Sequence, residues 1–391
     1  MTLTLRPDLG DLATIAQLVA RVVAVVSLAM LLPALFGLVN GERDAAAVMV
    51  FGAALGLLLS GIAELLLPAV DDVSWGEGMV AAGLSWLVAP LVCALPLYAS
   101  GYFPTFLHAY FDAMSALTCA GLSVLNDLDH LPDALNLWRH LMQFLGGQGI
   151  ILVVLTFFAG GGGAVGMYAG EAREDKILPN VRRTARFIWR ASLVYFVIGG
   201  SALTLALIAD GMAPGSAAFH ATNLFFAAFD TGGFAPRSSS VGYYHSAAVE
   251  GVLIVLMVAG ALSFALHYRL WQGDAREMRR NLETRVLAIS FTLLSTMMFA
   301  GLVTELVHED FVATLRRGLF QMVSAHSGAG FASVPGALFS SAWGVLAPGA
   351  LILAMTIGGM SGSTTGGIKA IRLGLVGKQL ARVARQVALP R

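Results

Sequence analysis

Residues 351–369 read Leu-Ile-Leu-Ala-Met-Thr-Ile-Gly-Gly-Met-Ser-Gly-Ser-Thr-Thr-Gly-Gly-Ile-Lys. The ten residues 358–367 are almost entirely glycine, serine and threonine, and they interrupt a hydrophobic run over 340–376 that is long enough to cross a membrane. Such residues at mid-depth predict that the helix unwinds there. Irregular backbone in a bilayer is tolerated only where it is buried in protein or lines a water-filled path. The stretch therefore predicts a membrane protein with a broken helix beside an ion pathway.

The composition supports this prediction. The chain has 391 residues, of which 57% are hydrophobic and 12% are charged, whereas a soluble domain carries about 25% charged residues. This excludes an ordinary soluble enzyme and a disordered chain. The formal net charge is zero, so no overall basic field indicates nucleic-acid binding. Cys93 and Cys119 have no CxxC spacing, so neither a disulfide framework nor a zinc site is indicated.

Eight hydrophobic runs are long enough to cross a bilayer, at 13–38, 46–68, 77–99, 134–159, 187–209, 247–270, 283–306 and 340–376. Three further apolar segments, 105–118, 216–228 and 311–324, would reach only about 20 Å across a hydrocarbon core of about 30 Å. Each lies between two full spans and opens with a helix-start signal. Any one alone could be an amphipathic surface helix, but three together predict re-entrant helices.

The positive charges are concentrated in three connections. Residues 171–190, 269–285 and 369–391 hold 17 of the 24 basic residues. By the positive-inside rule these connections face the cytoplasm, which places the short segments on the outer side. The chain is therefore expected to be a multi-pass protein of the cell (inner) membrane.

The order helix, short helix, glycine loop, helix occurs three times. Glycine permits backbone angles that turn carbonyl groups toward a common axis, and a ring of carbonyls can replace the hydration shell of a monovalent cation. Close helix packing through small residues is the alternative for any single loop. The three loops are Cys119-Ala120-Gly121-Leu122, Thr231-Gly232-Gly233-Phe234 and Gly328-Ala329-Gly330-Phe331.

The 358–367 stretch is different from these loops and from known look-alikes. It lacks the GK[ST] ending of a phosphate-binding loop. No histidine follows His326, which excludes the serine–histidine order of rhomboid proteases. Its last glycine lies only 37 residues after Gly330, against spacings of 112 and 97 between the earlier loops, so it is not a fourth filter. The histidines are scattered without an HExxH motif, so the chain is not expected to be an enzyme.

Several ordered motifs of the chain resemble one known family. They are Gly121-Leu122-Ser123-Val124 with residues 127–132, residues 143–150, residues 230–234 with 240–244, Leu266-His267-Tyr268, and residues 362–369. From about residue 13 to its end, the chain closely resembles the membrane subunit of the bacterial Trk/Ktr-type potassium transporters.

The resemblance implies an all-α integral membrane protein with tandem helix–pore helix–helix repeats around a pseudo-fourfold pore, preceded by two extra N-terminal helices. It implies K+ as the transported ion and no organic cofactor on this chain. It also implies a homodimer in the lipid bilayer that binds a cytosolic, nucleotide-binding regulatory subunit. In plant relatives a serine at the first filter position accompanies sodium transport, so Gly121 points to potassium.

The resemblance assigns residues to a filter and a gate. K+ is expected at the backbone carbonyls of Ala120, Gly121, Gly232, Gly233, Ala329 and Gly330. The filter as a whole comprises Thr118, Cys119, Ala120, Gly121, Thr231, Gly232, Gly233, Gly328, Ala329 and Gly330. The gate is the intramembrane loop 358–367 with its flank, namely Gly358, Gly359, Ser361, Gly362, Ser363, Thr364, Thr365, Gly366, Gly367 and Lys369.

The chain departs from the family pattern in two ways. Cys119 and Asp230 stand where small hydroxyl or apolar residues are usual, and Asp230 could either concentrate cations or cap a turn. The repeat spacing predicts a fourth filter glycine at about residue 430, so the fourth pore repeat is expected to be missing from these 391 residues. The alternative function is therefore a truncated, non-conducting product.

The expected division of the chain follows the repeats. Residues 1–75 form an N-terminal two-helix region, 76–170 the first pore repeat, 171–281 the second, and 282–391 the third with its gating loop.

Overall fold

The computed structural model describes residues 9–68, 73–149, 167, 181–305 and 310–388. Over these residues the chain is helical and has no strand, only a single parallel bridge between Ile357 and Ile368. This confirms the all-α prediction. The helices are α1 (Leu9–Ala29), α2 (Leu31–Val39), α3 (Arg43–Leu66), α4 (Trp75–Ala99), α5 (Phe106–Leu117), α6 (Asp133–Gln148), α7 (Val181–Tyr195), α8 (Ser201–Ala209), α9 (Pro214–Phe229), α10 (Ala247–Ala261), α11 (Phe264–Trp271), α12 (Arg276–Arg280), α13 (Leu282–Thr304), α14 (Phe311–His326), α15 (Gly336–Ser341), α16 (Leu346–Thr356) and α17 (Ala370–Ala388).

Five helical stretches are long and apolar enough to cross a membrane: Leu9–Val39, Arg43–Leu66, Trp75–Ala99, Arg183–Ala209 and Leu282–Thr304. They confirm the predicted crossings at 13–38, 46–68, 77–99, 187–209 and 283–306. Large apolar side chains lie exposed along them, for example Leu205 and Leu293, each 66% exposed. Such exposure in a soluble protein would be costly, whereas lipid accommodates it. Of the predicted crossing 134–159, residues 150–159 lie outside the described residues.

Two predicted crossings are wrong as single helices. Residues 247–270 form the pair α10 and α11, which meet at an angle of 103°. The chain is extended at Leu262, and the Ser263 hydroxyl then caps α11 by accepting the Leu266 amide at 3.2 Å. Residues 340–376 form part of α15, then the 11-residue α16, an irregular loop from Ile357 to Lys369, and the start of α17. The loop confirms that the glycine-rich stretch unwinds its helix.

The three re-entrant segments are helices of 12, 16 and 16 residues, α5, α9 and α14. Side chains cap two of them, because the Thr105 hydroxyl accepts the His108 amide and the Asp310 carboxylate accepts the Val312 amide. Sixteen residues reach about 24 Å, which is still short of the hydrocarbon core. Their predicted character as short helices that end before glycine loops is confirmed.

The chain divides into two compact units, residues 1–192 and 193–391. In the first, α1 packs on α3 and α4, and α5 packs on α4 and α6. Helices approach closely where glycine faces a neighbour, as at Gly52 beside Pro96 and Gly56 beside Ser27.

A fully buried ion pair joins α5 to α6 in the first unit. The Asp112 carboxylate accepts from the Arg139 guanidinium at 2.7 and 3.0 Å, and both side chains are completely buried. The Ser123 hydroxyl, just after the first glycine loop, donates to Asp112 at 2.7 Å. This pair therefore fixes the first short helix, its loop and the next helix together.

We expect Arg139→Met to lower the free energy of unfolding by about 3–5 kcal/mol, because it leaves the Asp112 carboxylate buried without its cation. Unfolding of the detergent-solubilised protein, followed by tryptophan fluorescence, measures this. The matched control is Arg21→Gln, which breaks the more exposed Arg21–Glu64 pair at 2.6 Å and should cost about 1 kcal/mol or less. Equal effects of the two variants would contradict the prediction.

Candidate functional site: the glycine loops and the intramembrane loop

The three predicted filter loops share one backbone conformation. In each, two left-handed residues flank one residue with negative φ, immediately after the C-cap of a short helix. The recurrence places the loops in the register that their sequences predict. The left-handed angles are 54° at Cys119 and 71° at Gly121, 52° at Thr231 and 72° at Gly233, and 75° at Gly328 and 81° at Gly330.

The amide groups of these loops point back to their own helices. In the first loop the Ala120 amide donates to the Ser115 carbonyl at 2.9 Å. The Gly232 amide donates to Ala227 at 2.9 Å, and the Gly330 amide donates to Ser324 at 3.3 Å. Because the helix ends use the donors, the loops have carbonyl oxygens to offer to a cation. Thr118, Asp230 and Ser327 are the equivalent C-cap residues of the three short helices. Asp230 is buried and lies at the turn, which is the position expected if it caps a turn.

Two of the left-handed positions hold residues other than glycine, and both side chains are bonded. The Thr231 hydroxyl lies 3.2 Å from the Thr364 hydroxyl. The Cys119 thiol donates to the Gln143 carbonyl at 3.3 Å. A side chain in a left-handed conformation costs about 1–2 kcal/mol, so these contacts hold a conformation that the residues alone would avoid.

A close glycine contact recurs behind the first and second loops. A Cβ added at Gly146 on α6 would fall on the carbonyl oxygen of Leu117, the last residue of α5. A Cβ added at Gly260 on α10 would fall on the carbonyl oxygen of Phe229, the last residue of α9. The first two short helices, α5 and α9, therefore end directly against a glycine of the helix that follows.

The second and third loops contact each other backbone to backbone. A Cβ added at Gly233 would fall on the Ala329 carbonyl oxygen. Just beyond the loops, the Gly242 amide donates to the Ala332 carbonyl at 3.0 Å, and the Ala332 amide donates to the Ser240 hydroxyl at 3.1 Å. Carbonyls from two different repeats are thus brought together.

The predicted gating loop is closed on itself. The Gly358 amide donates to the Ile368 carbonyl at 3.0 Å, and the Ile368 amide donates to the Thr356 carbonyl at 3.0 Å. The Lys369 ammonium group donates to the Thr365 carbonyl. The chain therefore leaves and re-enters helical structure at nearly the same place, and the residues between form a compact loop.

This loop fills the break between α10 and α11. The Met360 amide donates to the Ala261 carbonyl at 3.0 Å, and the Thr364 hydroxyl lies 3.0 Å from the Gly260 carbonyl. Here the donor and acceptor are exchanged: the Phe264 amide of α11 points to the Gly362 carbonyl of the loop at 3.5 Å. The helix ends have no intrahelical partner for these groups, and the loop supplies partners from about 100 residues away.

The loop also contacts both filter loops of the second unit. The Thr364 hydroxyl lies 3.3 Å from the Phe229 carbonyl in addition to its contact with Thr231. A Cβ added at Gly328 would lie 3.2 Å from the Thr365 methyl group. The Thr365 hydroxyl oxygen is buried without a hydrogen-bond partner. Predicted filter and gate residues of the second and third repeats are therefore in direct contact.

Glu283 contacts the predicted gating loop, and sequence reasoning missed it. Its carboxylate accepts the Ser361 amide at 2.7 Å, and its side chain is buried. A glutamate in the first turn of α13 reads as an ordinary helix-start residue, so no sequence signal distinguishes it.

Acidic, histidine and cysteine side chains are the other groups that could bind a cation. Among the described residues, no group of three or more His, Cys, Asp and Glu side chains is placed to hold a metal ion. In the exposed turn after the first loop, the His130 side chain hydrogen-bonds Asp127 at 2.7 Å and lowers the pKa of that carboxyl group.

The family model described as "TrkH: Cation transport protein" matches residues 72–391. The chain belongs to this family. Membership in the TrkH family places the chain among transporters rather than enzymes and confirms the family resemblance.

Individual TrkH proteins cover most of the chain. The Trk system potassium uptake protein TrkH of Halomonas elongata is 29% identical over 97% of this chain and 78% of its own length. The Escherichia coli protein of the same name is 30% identical over 80% of this chain, which spans 64% of that protein's length. The crystal structure of the potassium transporter TrkH from Vibrio parahaemolyticus matches with a TM-score of 0.80 and 26% identity, over 97% of this chain and 77% of that one.

We expect Gly233→Ala to destabilise the protein more than Gly330→Ala. Both positions are left-handed, which costs an alanine about 1–2 kcal/mol, but only at Gly233 would the new methyl group meet a carbonyl, since nothing lies within 4 Å at Gly330. Thermal unfolding in detergent measures both.

Gly251→Ala is the control, because Gly251 is helical and has open space around it; it should be neutral or slightly stabilising. A Gly233→Ala protein as stable as Gly330→Ala would show that the two loops are not in backbone contact.

Proposed function

We propose that this chain is the potassium-translocating membrane subunit of a Trk-type uptake system in the cell (inner) membrane. The observation that carries the proposal is the pair of left-handed residues repeated in register in three loops, each after a short helix that cannot cross the bilayer. The names of the TrkH relatives support potassium as the ion.

The filter follows from the loop backbone. In a backbone that alternates negative and positive φ, successive carbonyls point to the same side, which suits a dehydrated monovalent cation. We assign K+ to the carbonyls of the central residue and the second left-handed residue of each loop, and the remaining filter residues to the turns that hold them. The six carbonyls are those of Ala120, Gly121, Gly232, Gly233, Ala329 and Gly330.

The gate follows from the contacts of the 358–367 loop. Its residues touch the second and third filter loops and are bonded to the break in α10–α11 and to Glu283. Where water replaces the protein partners, each of these hydrogen bonds is worth about 1 kcal/mol net, so the loop can be released at modest cost. We propose that it blocks the ion path, with Lys369 holding it closed.

The remaining assignments extend the same proposal. We propose the division at residues 75, 170 and 281, so that each repeat contains one of the three short helices. We propose that the chain forms a homodimer and that a cytosolic nucleotide-binding regulatory subunit acts on the gate. Transport is proposed to run down the electrochemical gradient of K+.

The first test is flux. We expect the purified protein in liposomes, together with its cytosolic regulatory subunit, to take up radioactive rubidium when potassium is loaded inside. Excess external potassium should suppress the uptake. Absence of rubidium uptake by a folded, reconstituted protein would overturn the proposal and favour the non-conducting alternative.

The second test concerns the gate. Deleting Ser361–Thr365 should raise basal flux. Thr364→Val should raise it about fivefold or more, because it keeps the shape but removes a hydroxyl that contacts Thr231, Phe229 and Gly260, and each lost hydrogen bond is worth about 1 kcal/mol. Thr296→Val is the matched control, since the Thr296 hydroxyl bonds only the Thr292 carbonyl of its own helix, at 2.8 Å. Unchanged or lower flux in folded gate variants would contradict the assignment.

A further inference from the structure

An apolar cavity lies behind the gating loop in the second unit. Its volume is about 300 Å³, and it lies between α10, α13 and the end of α14. Leu262, Leu287 and Phe291 supply apolar walls, and Met360 of the gating loop closes one side. The cavity is partly open to its surroundings. In a chain whose outer face is lipid, an open apolar cavity of this size suits part of an acyl chain.

Three polar residues, Thr284, His326 and Ser327, interrupt the apolar lining. The His326 ring and the Ser327 hydroxyl are hydrogen-bonded within the protein. Thr284 lines the cavity, and its hydroxyl oxygen is buried without a hydrogen-bond partner. A buried hydroxyl that makes no hydrogen bond is costly. A ligand with an acceptor at the head of an apolar tail, such as the ester carbonyl of a glycerolipid, would satisfy it.

The segment at the cavity mouth is positively charged. Met278 lines the cavity and sits on the five-residue helix α12, beside the exposed Arg276, Arg279 and Arg280. Residues 269–285 hold five arginines against three acidic residues. One of the three, Glu283, is buried and bonded to the gating loop. By the positive-inside rule this segment faces the inner leaflet, where lipid phosphates lie.

We propose that the cavity between α10 and α13 binds an anionic phospholipid of the inner leaflet. One acyl chain occupies the apolar cavity, the Thr284 hydroxyl donates to an ester carbonyl, and the phosphate lies on the α12 arginines. The apolar walls match the acyl chain, the unsatisfied Thr284 donor matches the ester, and the basic residues match the phosphate of the lipid.

The proposed lipid site is coupled to the gating loop by two contacts. Met360 lines the cavity, and its sulfur lies 3.5 Å from the Ser263 amide at the break in α10–α11. Glu283, one residue before Thr284, accepts the Ser361 amide. An occupied cavity therefore supports the closed position of the loop, and an empty one removes that support. This consequence for flux rests on the proposed function, whereas lipid binding does not.

Photolabelling tests the binding. The full-length protein is placed in phosphatidylcholine nanodiscs with a trace of phosphatidylglycerol that carries a diazirine in its acyl chain, and labelled peptides are mapped by mass spectrometry. We expect label on the α10 and α13 walls, and excess phosphatidylglycerol should compete with it. Arg279→Gln/Arg280→Gln should reduce labelling at least about fivefold, and Ala288→Phe, which fills the cavity, should abolish it.

Lys378→Gln/Arg382→Gln is the matched control, because it removes two exposed cations from α17, which contributes no residue to the cavity lining. It should leave the label on α10 and α13 unchanged. The proposal is overturned if no label reaches these walls, if phosphatidylcholine or free oleate competes equally well, or if the control reduces labelling as much as the α12 variant.

Flux is measured separately on the same proteins. When phosphatidylglycerol is withheld, basal rubidium flux through the wild-type protein should rise. Flux through Ala288→Phe should stay low, because the phenylalanine fills the cavity in place of the lipid. Correct labelling without any flux would count against the proposed function and leave the lipid site standing. Flux that ignores phosphatidylglycerol in a correctly labelled protein would overturn the coupling to the gate.

Discussion

The glycine-rich loop 358–367 and the broken helix pair α10–α11 satisfy each other's backbone hydrogen bonds, and the second unit depends on this exchange. Carbonyls of Gly260 and Ala261 accept from the loop, and the loop carbonyl of Gly362 faces the Phe264 amide. In a bilayer each unsatisfied backbone group costs several kcal/mol. The break between α10 and α11 and the 358–367 loop would each leave unsatisfied backbone groups if it were alone. The two breaks therefore form one structural element.

A second constraint is the close approach of short helices to glycines. Gly146 and Gly260 allow Leu117 and Phe229 to bring their carbonyls against the following helix. The first left-handed residue comes two positions after each of these carbonyls, so the glycine contact positions the predicted filter loop from behind. The buried Asp112–Arg139 pair adds the same kind of restraint in the first unit, where a charged contact also holds Ser123.

Much of the site is predictable because its residue types are unusual for their surroundings. A glycine, serine and threonine run inside an apolar stretch has few structural explanations, and three matched glycine loops have fewer. The bend after Ala261 was not predictable, because residues 255–266 are almost uniformly apolar or small and match an unbroken helix. The partner that stabilises the bend lies about 100 residues away. Glu283 was missed for the same reason, since its role depends on a contact with Ser361 and not on local sequence.

The buried Thr365 hydroxyl and the shared hydrogen bonds of Thr364 have a consequence for water. If the loop moves away, the Gly260 and Ala261 carbonyls lose their donors while they remain at membrane depth. Only water, or a partly hydrated ion, can replace those donors quickly. Entry of water at the break between α10 and α11 and displacement of the loop are then one cooperative event. A displaced loop with a dry break would leave these carbonyls unsatisfied, at a cost of several kcal/mol each.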